Sequence, residues 1–129
     1  MNDLKTIFLV DDDPFITKIV VKCFSAKGYR LLAFDYGEDC LKALNKSPDL
    51  IILDYIFQNY GQKVMNGMEV FDKIKEVNPD VPVIMLSGQD RGDLVLEFAK
   101  KGVDDYVIKD NSLIDNLNFR IKELLGQGL

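Results

Sequence analysis

The sequence predicts an α/β domain in which helices wind over both faces of a parallel sheet, and two observations carry that reading. Short β-rich runs alternate with longer stretches at helical spacing, five of each. The third and fourth of the short runs are apolar throughout, as strands covered on both faces must be, so these two should be central. A chain of 129 residues, 47% of them hydrophobic and 29% charged, suits a single domain over 1–129. A globule of this size buries roughly two-thirds of its unfolded surface, enough for one core.

The elements follow in order. A first strand is read over Thr6–Val10, then three aspartates, then a helix over Pro14–Ala26 that Gly28 closes. The second strand is Arg30–Phe34 and the second helix Gly37–Asn45, stopped before Pro48. The third strand, Leu50–Leu53, runs into Asp54. The stretch YIFQNYGQKVMN that follows is too long for a tight strand-to-helix turn and weakly periodic, which predicts an enlarged surface loop or lid over 55–66. A third helix, Met68–Val77, ends at Asn78-Pro79. The fourth strand is Val83–Leu86 and the fourth helix Gly92–Lys100, punctuated by Gly102. The fifth pair is Asp105–Ile108 and Leu113–Leu125.

Composition removes several function classes. With 16 basic against 21 acidic residues, the net charge of −5 argues against direct nucleic-acid binding. There is no histidine, and Cys23 and Cys40 stand far apart, so neither a zinc site nor a Ser-His or Cys-His pair can be assembled; both thiols are expected to be buried. The opening MNDLKTIFLV lacks the basic segment and apolar run of a signal peptide, and no stretch approaches a membrane span. The expected compartment is cytoplasmic, without a membrane partner.

In an open parallel sheet, ligands bind outside the carboxyl ends of the strands. Asp11, Asp12 and Asp13 follow the first strand, Asp54 ends the third, Ser87 follows the fourth and Lys109 the fifth, so all belong to one edge. Taken singly they have ordinary explanations: aspartates opening a helix cap it and suit its dipole, a serine serves a turn, a lysine is solvated. Asp54 is harder to explain that way, because a carboxylate closing the apolar run IILD needs a cation or a lysine. Clustered carboxylates suit Mg²⁺, whose shell is often completed by phosphate oxygens. Beside such a cation an aspartate can attack phosphorus, with Lys109 and Ser87 stabilising the other phosphoryl oxygens.

With these residues in place, the chain resembles the response-regulator receiver domains of two-component signalling, and is similar to their single-domain chemotaxis-type members. The segments that carry the resemblance are IFLVDDDP at 7–14, PDLIILD at 48–54, NGMEVFDKI at 66–74, VPVIMLSG at 81–88 and KGVDDYVIK at 101–109. The resemblance implies a flavodoxin-like (βα)5 fold with strand order 2-1-3-4-5. It implies Asp54 as phosphoacceptor, Asp12 as a direct Mg²⁺ ligand, Asp11 as a ligand largely through water, and Ile56 as a ligand through its backbone carbonyl. Ser87 and Lys109 would contact the phosphoryl oxygens, and Tyr106 would be the aromatic switch, although a half-buried strand tyrosine is the plainer account of it. Asp13 would only cap the first helix.

The same resemblance implies a sensor histidine kinase or histidine phosphotransfer protein as phosphoryl donor and an output protein as recipient of the change in shape. Self-phosphorylation and slow self-dephosphorylation are the only reactions expected, not enzymatic turnover. The usual output surface would include Asp93, Glu97, Lys100, Lys101 and Tyr106.

The chain departs from the family pattern at several places, among them Gly88, which stands where an alanine usually follows the hydroxyl residue. Gly67, the glycine opening the third helix, lies thirteen residues after Asp54, beyond a loop without proline. Lys109 is followed by Asp110 where a proline is usual, so a cis peptide there would cost ~2.5–4 kcal/mol and a rearranged loop is the cheaper expectation. Ile56 and Gln89 occupy positions that tune hydrolysis; an apolar Ile56 cannot orient a water, which predicts a long-lived phosphoryl state unless Gln89 does so. The competing reading is a degenerate receiver that docks proteins without phosphorylation. An aspartyl-nucleophile phosphatase would need a second aspartate at position 56, and a flavin-binding relative would need a Ser/Thr/Gly-rich loop where the aspartates stand.

Overall fold

The computed structural model describes residues 4–55, 65–88 and 92–126, with the backbone alone at 92 and 93. Five parallel strands, β1 (Thr6–Val10), β2 (Arg30–Phe34), β3 (Leu50–Asp54), β4 (Val83–Ser87) and β5 (Asp105–Ile108), form one sheet in the order β2-β1-β3-β4-β5. The helices are α1 (Pro14–Ala26), α2 (Gly37–Lys42), α3 (Gly67–Val77), α4 (Gly92–Lys101) and α5 (Leu113–Leu125). The predicted order 2-1-3-4-5 is the observed one, with β3 central and β4 interior beside it.

Alternate residues of each interior strand face opposite sides, as a pleat of period two requires. Phe8, Val10, Ile51, Leu53, Val83 and Met85 pack beneath α2, α3 and α4. Ile7, Leu9, Leu50, Ile52, Ile84 and Leu86 pack beneath α1 and α5. β1, β3 and β4 are buried along their whole length, whereas the edge strands β2 and β5 are only partly covered. Two cores back to back therefore clamp the middle of the sheet and leave its carboxyl edge as the place where polar groups emerge.

The second helix is shorter than the sequence suggested. It stops at Lys42, and Leu44–Lys46 continue as a 3-10 turn. Ala43 N–H reaches back to Cys40 O and Lys46 N–H to Ala43 O, three-residue bonds that tighten the chain ahead of Pro48. β3 and β4 each run one residue further than expected and take Asp54 and Ser87 into the sheet. Cys40 is buried as expected, whereas Cys23 is only half-buried.

Helix termini are set by local chemistry. Asp13 caps α1, its Oδ1 accepting from Phe15 N–H at 2.9 Å and Ile16 N–H at 3.4 Å. Asn66 and Glu69 form a reciprocal capping box at the head of α3, with both bonds at 2.9 Å. Among the described residues, no helix is long and apolar enough to cross a membrane.

Candidate functional site

Three backbone bonds carry the sheet ladder one step past the strand ends. Asp11 N–H donates to Phe34 O at 3.0 Å, Tyr55 N–H to Leu86 O at 2.9 Å, and Lys109 N–H to Ser87 O at 2.9 Å. The residues that bear charge are thus held by the sheet rather than by free loops.

Their side chains converge. Ligand oxygens of Asp11, Asp12 and Asp54 lie within 4.8 Å of one another. Lys109 Nζ stands 3.0 Å from Asp11 Oδ2 and 3.0 Å from Asp54 Oδ1. Asp11 is further held by Asp13 N–H, which donates to its Oδ1 at 2.9 Å, while Thr17 Oγ1 donates to its carbonyl at 3.3 Å. Asp11 Oδ2 is sealed from solvent and meets Lys109 as an ion pair. A buried carboxylate oxygen that meets a cation, beside two further carboxylates, is a donor set that fits a hard divalent cation such as Mg²⁺.

The electrostatics are strained in a definite sense. Burial pushes the Asp11 carboxyl above its ordinary value, and the nearby Lys109 ammonium only partly offsets that rise. For Lys109, burial alone would lower the pKa, but Asp54 and then Asp11 outweigh it, and the ammonium is held charged above its usual range. One cation therefore serves two buried carboxylates.

Ser87, buried at the end of β4, lies beside Ile108 in the β4–β5 register, next to Lys109. Tyr106 is half-buried on β5, its ring 6.2 Å from Phe98 of α4, and Tyr55 approaches Phe98 at 5.6 Å. The structure thus brings Asp11, Asp12, Asp54 and Lys109 into one cluster, sets Ser87 alongside and puts Tyr106 against α4. Ile56, Gln89, most of the 55–66 loop and the Asp93 side chain lie outside the described residues. No cis peptide occurs among the described residues, so Lys109-Asp110 is trans, and the lysine still reaches both carboxylates.

Sequence reasoning missed several supports. Gly67 was read only as a helix opener, yet a Cβ there would stand 2.6 Å from Asp54 O and 2.6 Å from Tyr55 Cα, and its N–H donates to Tyr55 O at 2.9 Å. Glu38 Oε2 accepts from Met65 N–H at 3.2 Å and ties α2 to the approach of α3. Neither contact has a local sequence signal. Asp110 does have one, an aspartate three residues before a helix, and its Oδ1 accepts from Ser112 N–H at 2.8 Å.

Comparison with known proteins agrees with this geometry. Residues 7–118 match the family described as the response regulator receiver domain. The chain belongs to that family. The receiver is 34% identical over 121 residues to the transcriptional regulatory protein CssR of Bacillus subtilis, covering 93% of this chain and 51% of that protein. It is 28% identical over 121 residues to the probable transcriptional regulatory protein TcrX of Mycobacterium tuberculosis, covering 93% and 49%. It therefore spans about half the length of these relatives.

Among solved structures, the receiver domain of NtrX from Brucella abortus superposes with a TM-score of 0.82 at 27% identity, over 93% of this chain and 98% of that one. A CheY-like receiver domain protein from Methanospirillum hungatei shares the fold, with a TM-score of 0.82 at 24% identity, over 97% of each chain. This is the receiver domain of two-component response regulators, and its fold is the flavodoxin-like one expected.

Proposed function

We propose that this receiver accepts a phosphoryl group on Asp54 from a sensor histidine kinase or histidine phosphotransfer protein, in a Mg²⁺-dependent reaction, and passes the resulting conformational change to an output protein. One observation carries the reading: a single ammonium, Lys109, bridges Asp11 and Asp54 at 3.0 Å each, with Asp12 in the same cluster. Nothing in the packing of the core requires two buried carboxylates to meet there.

Asp11, Asp12 and Asp54 would hold the metal, with the Ile56 carbonyl as the further ligand that the family resemblance implies. Bound there, Mg²⁺ supplies positive charge against the phosphoryl oxygens and helps to align them. The chain's own residues do the rest. An Asp54 carboxylate oxygen attacks phosphorus, an O–P bond forms as the phosphohistidine P–N bond breaks, and the departing imidazole leaves with the electron pair. Lys109 turns from carboxylate partner to partner of a phosphoryl oxygen, and the Ser87 hydroxyl donates to another. Burial of Asp54, only 3% exposed, keeps competing water from most approaches to the acceptor. The receiver turns over no external substrate; Asp54 is consumed and regenerated by hydrolysis of its own phosphate, and the setting is cytoplasmic.

The test is intact-mass spectrometry after incubation with acetyl phosphate and Mg²⁺, comparing wild type, Asp54→Asn and wild type in EDTA. A single phosphoryl adduct that needs both Asp54 and the metal is the expected result. A folded wild type without an adduct would overturn the reading in favour of a phosphorylation-independent docking module.

A further inference from the structure

We propose that Asp110 is a positioning residue for Lys109, setting the reach of its ammonium to Asp54 through a side-chain turn at the head of α5; this rests on Asp54 being the acceptor. Beyond Lys109, the residues between β5 and α5 have little packing to hold them. Asp110, Asn111 and Ser112 are exposed, and Lys109, Asp110 and Asn111 line an open groove between α1 and α5 instead of packing into the core. Ser112 occupies the N-cap of α5 yet makes no side-chain capping bond.

Asp110 supplies what that position lacks. Its Oδ1 accepts from Ser112 N–H at 2.8 Å, its carbonyl accepts from Leu113 N–H at 3.1 Å, and its own N–H donates to Ile108 O at 2.9 Å. An aspartate that accepts from the N–H two residues on folds the chain into an Asx turn without help from packing. Immediately upstream, Lys109 N–H is fixed to Ser87 O at 2.9 Å. Lys109 therefore leaves the sheet between two anchored peptides, one on β4 and one in the Asp110 turn, and its Nζ meets Asp11 and Asp54. Downstream, the turn delivers Leu113 into the α1–α5 core, so the same bonds join lysine and helix.

What matters in this account is the acceptor oxygen of Asp110, not its negative charge. That separates it from a simple helix-dipole effect, in which charge alone would count. Asparagine keeps the acceptor without the charge, serine offers a weaker one, and alanine has none.

The experiment uses the whole chain as wild type, Asp110→Asn, Asp110→Ser and Asp110→Ala. Two quantities are measured: the rate of phosphoryl adduct formation with acetyl phosphate and Mg²⁺, and the ¹H–¹⁵N amide shifts of Ser87 and Lys109 without phosphoryl donor. The Asn variant should stay within about twofold of wild type and the Ala variant should fall about fivefold, the scale of one lost side-chain cap, with Ser between. The Ser87 and Lys109 amides should move in Ala and hold in Asn. Equal rates and shifts for Ala and wild type would overturn the proposal, as would an Asn variant as slow as Ala. If alanine does not fold, the Ser-to-Asn comparison makes the same distinction. If wild type takes no phosphoryl group, the proposed function fails, and the amide shifts still test whether Asp110 positions Lys109.

Discussion

Gly67→Ala should disturb Asp54, the proposed acceptor, although residue 67 lies thirteen positions away in the chain. A Cβ at residue 67 would meet Asp54 O and Tyr55 Cα at 2.6 Å, both of them backbone atoms that cannot rotate aside. Ordinary contact requires the two segments to part by about 0.8 Å, and α3 is pinned by its capping box, so the Asp54-Tyr55 peptide must share the movement. Overpacking of this kind costs about 1–3 kcal/mol of stability. A misplacement near 1 Å can cost roughly 100-fold in a positioned reaction, so phosphorylation of Asp54 should slow by roughly 10- to 100-fold. Adduct formation followed by intact mass, with a urea melt on the same sample, reads both quantities. A Gly67→Ala protein that phosphorylates at the wild-type rate would refute the claim that α3 rests on the acceptor's backbone.

Lys109→Met should destabilise the metal-free protein by roughly 2–4 kcal/mol at neutral pH, because it leaves two buried carboxylates facing each other, and the loss should shrink on acidification; an unchanged urea midpoint would count against the bridge. Cys40 has its thiol pushed up to about 12 from 9.0 by burial. The folded pKa is raised, so this contribution to stability is complete below pH 9 and is lost toward pH 12, at about 1.4 kcal/mol per pH unit. Urea melts across that range should show a shallower alkaline loss in Cys40→Ala, and parallel slopes would contradict the assignment. Lys101→Ala, which breaks the exposed 3.3 Å pair with Asp72, should change stability by less than about 1 kcal/mol.

The fold was legible because its signals are local and repeated. The third and fourth strands were read as uninterrupted apolar runs, and each helix is bounded by a cap, a glycine or a proline, so the elements could be read one at a time, whereas the strand order came from the family resemblance. Gly37–Asn45 was read too long because a helix and a 3-10 turn share nearly the same apolar spacing over so few residues; only the bonds at Ala43 and Lys46 separate them. The acidic cluster was legible too, since topology places every carboxyl strand end on one edge. Contacts that depend on two distant segments meeting were not, namely Gly67 against Asp54, Glu38 on Met65 and Thr17 on Asp11. The trans Lys109-Asp110 peptide was open from sequence because the residue after lysine departs from the usual proline, and the Asp110 turn supplies its physical setting.

The resting site contains the reason why charge on Asp54 should be felt elsewhere. Lys109 now divides its ammonium between Asp11 and Asp54, and burial leaves Asp11 poorly compensated even so. On the proposed reading, a phosphoryl group on Asp54 adds negative charge where one lysine already serves two carboxylates. On that reading Lys109 would redistribute its contacts, and any part of the movement that reaches its backbone would be felt at both peptides that hold it, one bonded to Ser87 on β4 and one in the Asp110 turn that opens α5. A backbone shift at Lys109 would then be shared by the ends of β4 and β5 and the start of α5. Tyr106, the proposed switch, lies on β5 with its ring 6.2 Å from that of Phe98 on α4, and on the same reading it would pass a shift of β5 to that helix. The coupling needs no long chain of contacts, because the sheet edge that gathers the charges is also the edge where these elements begin or end.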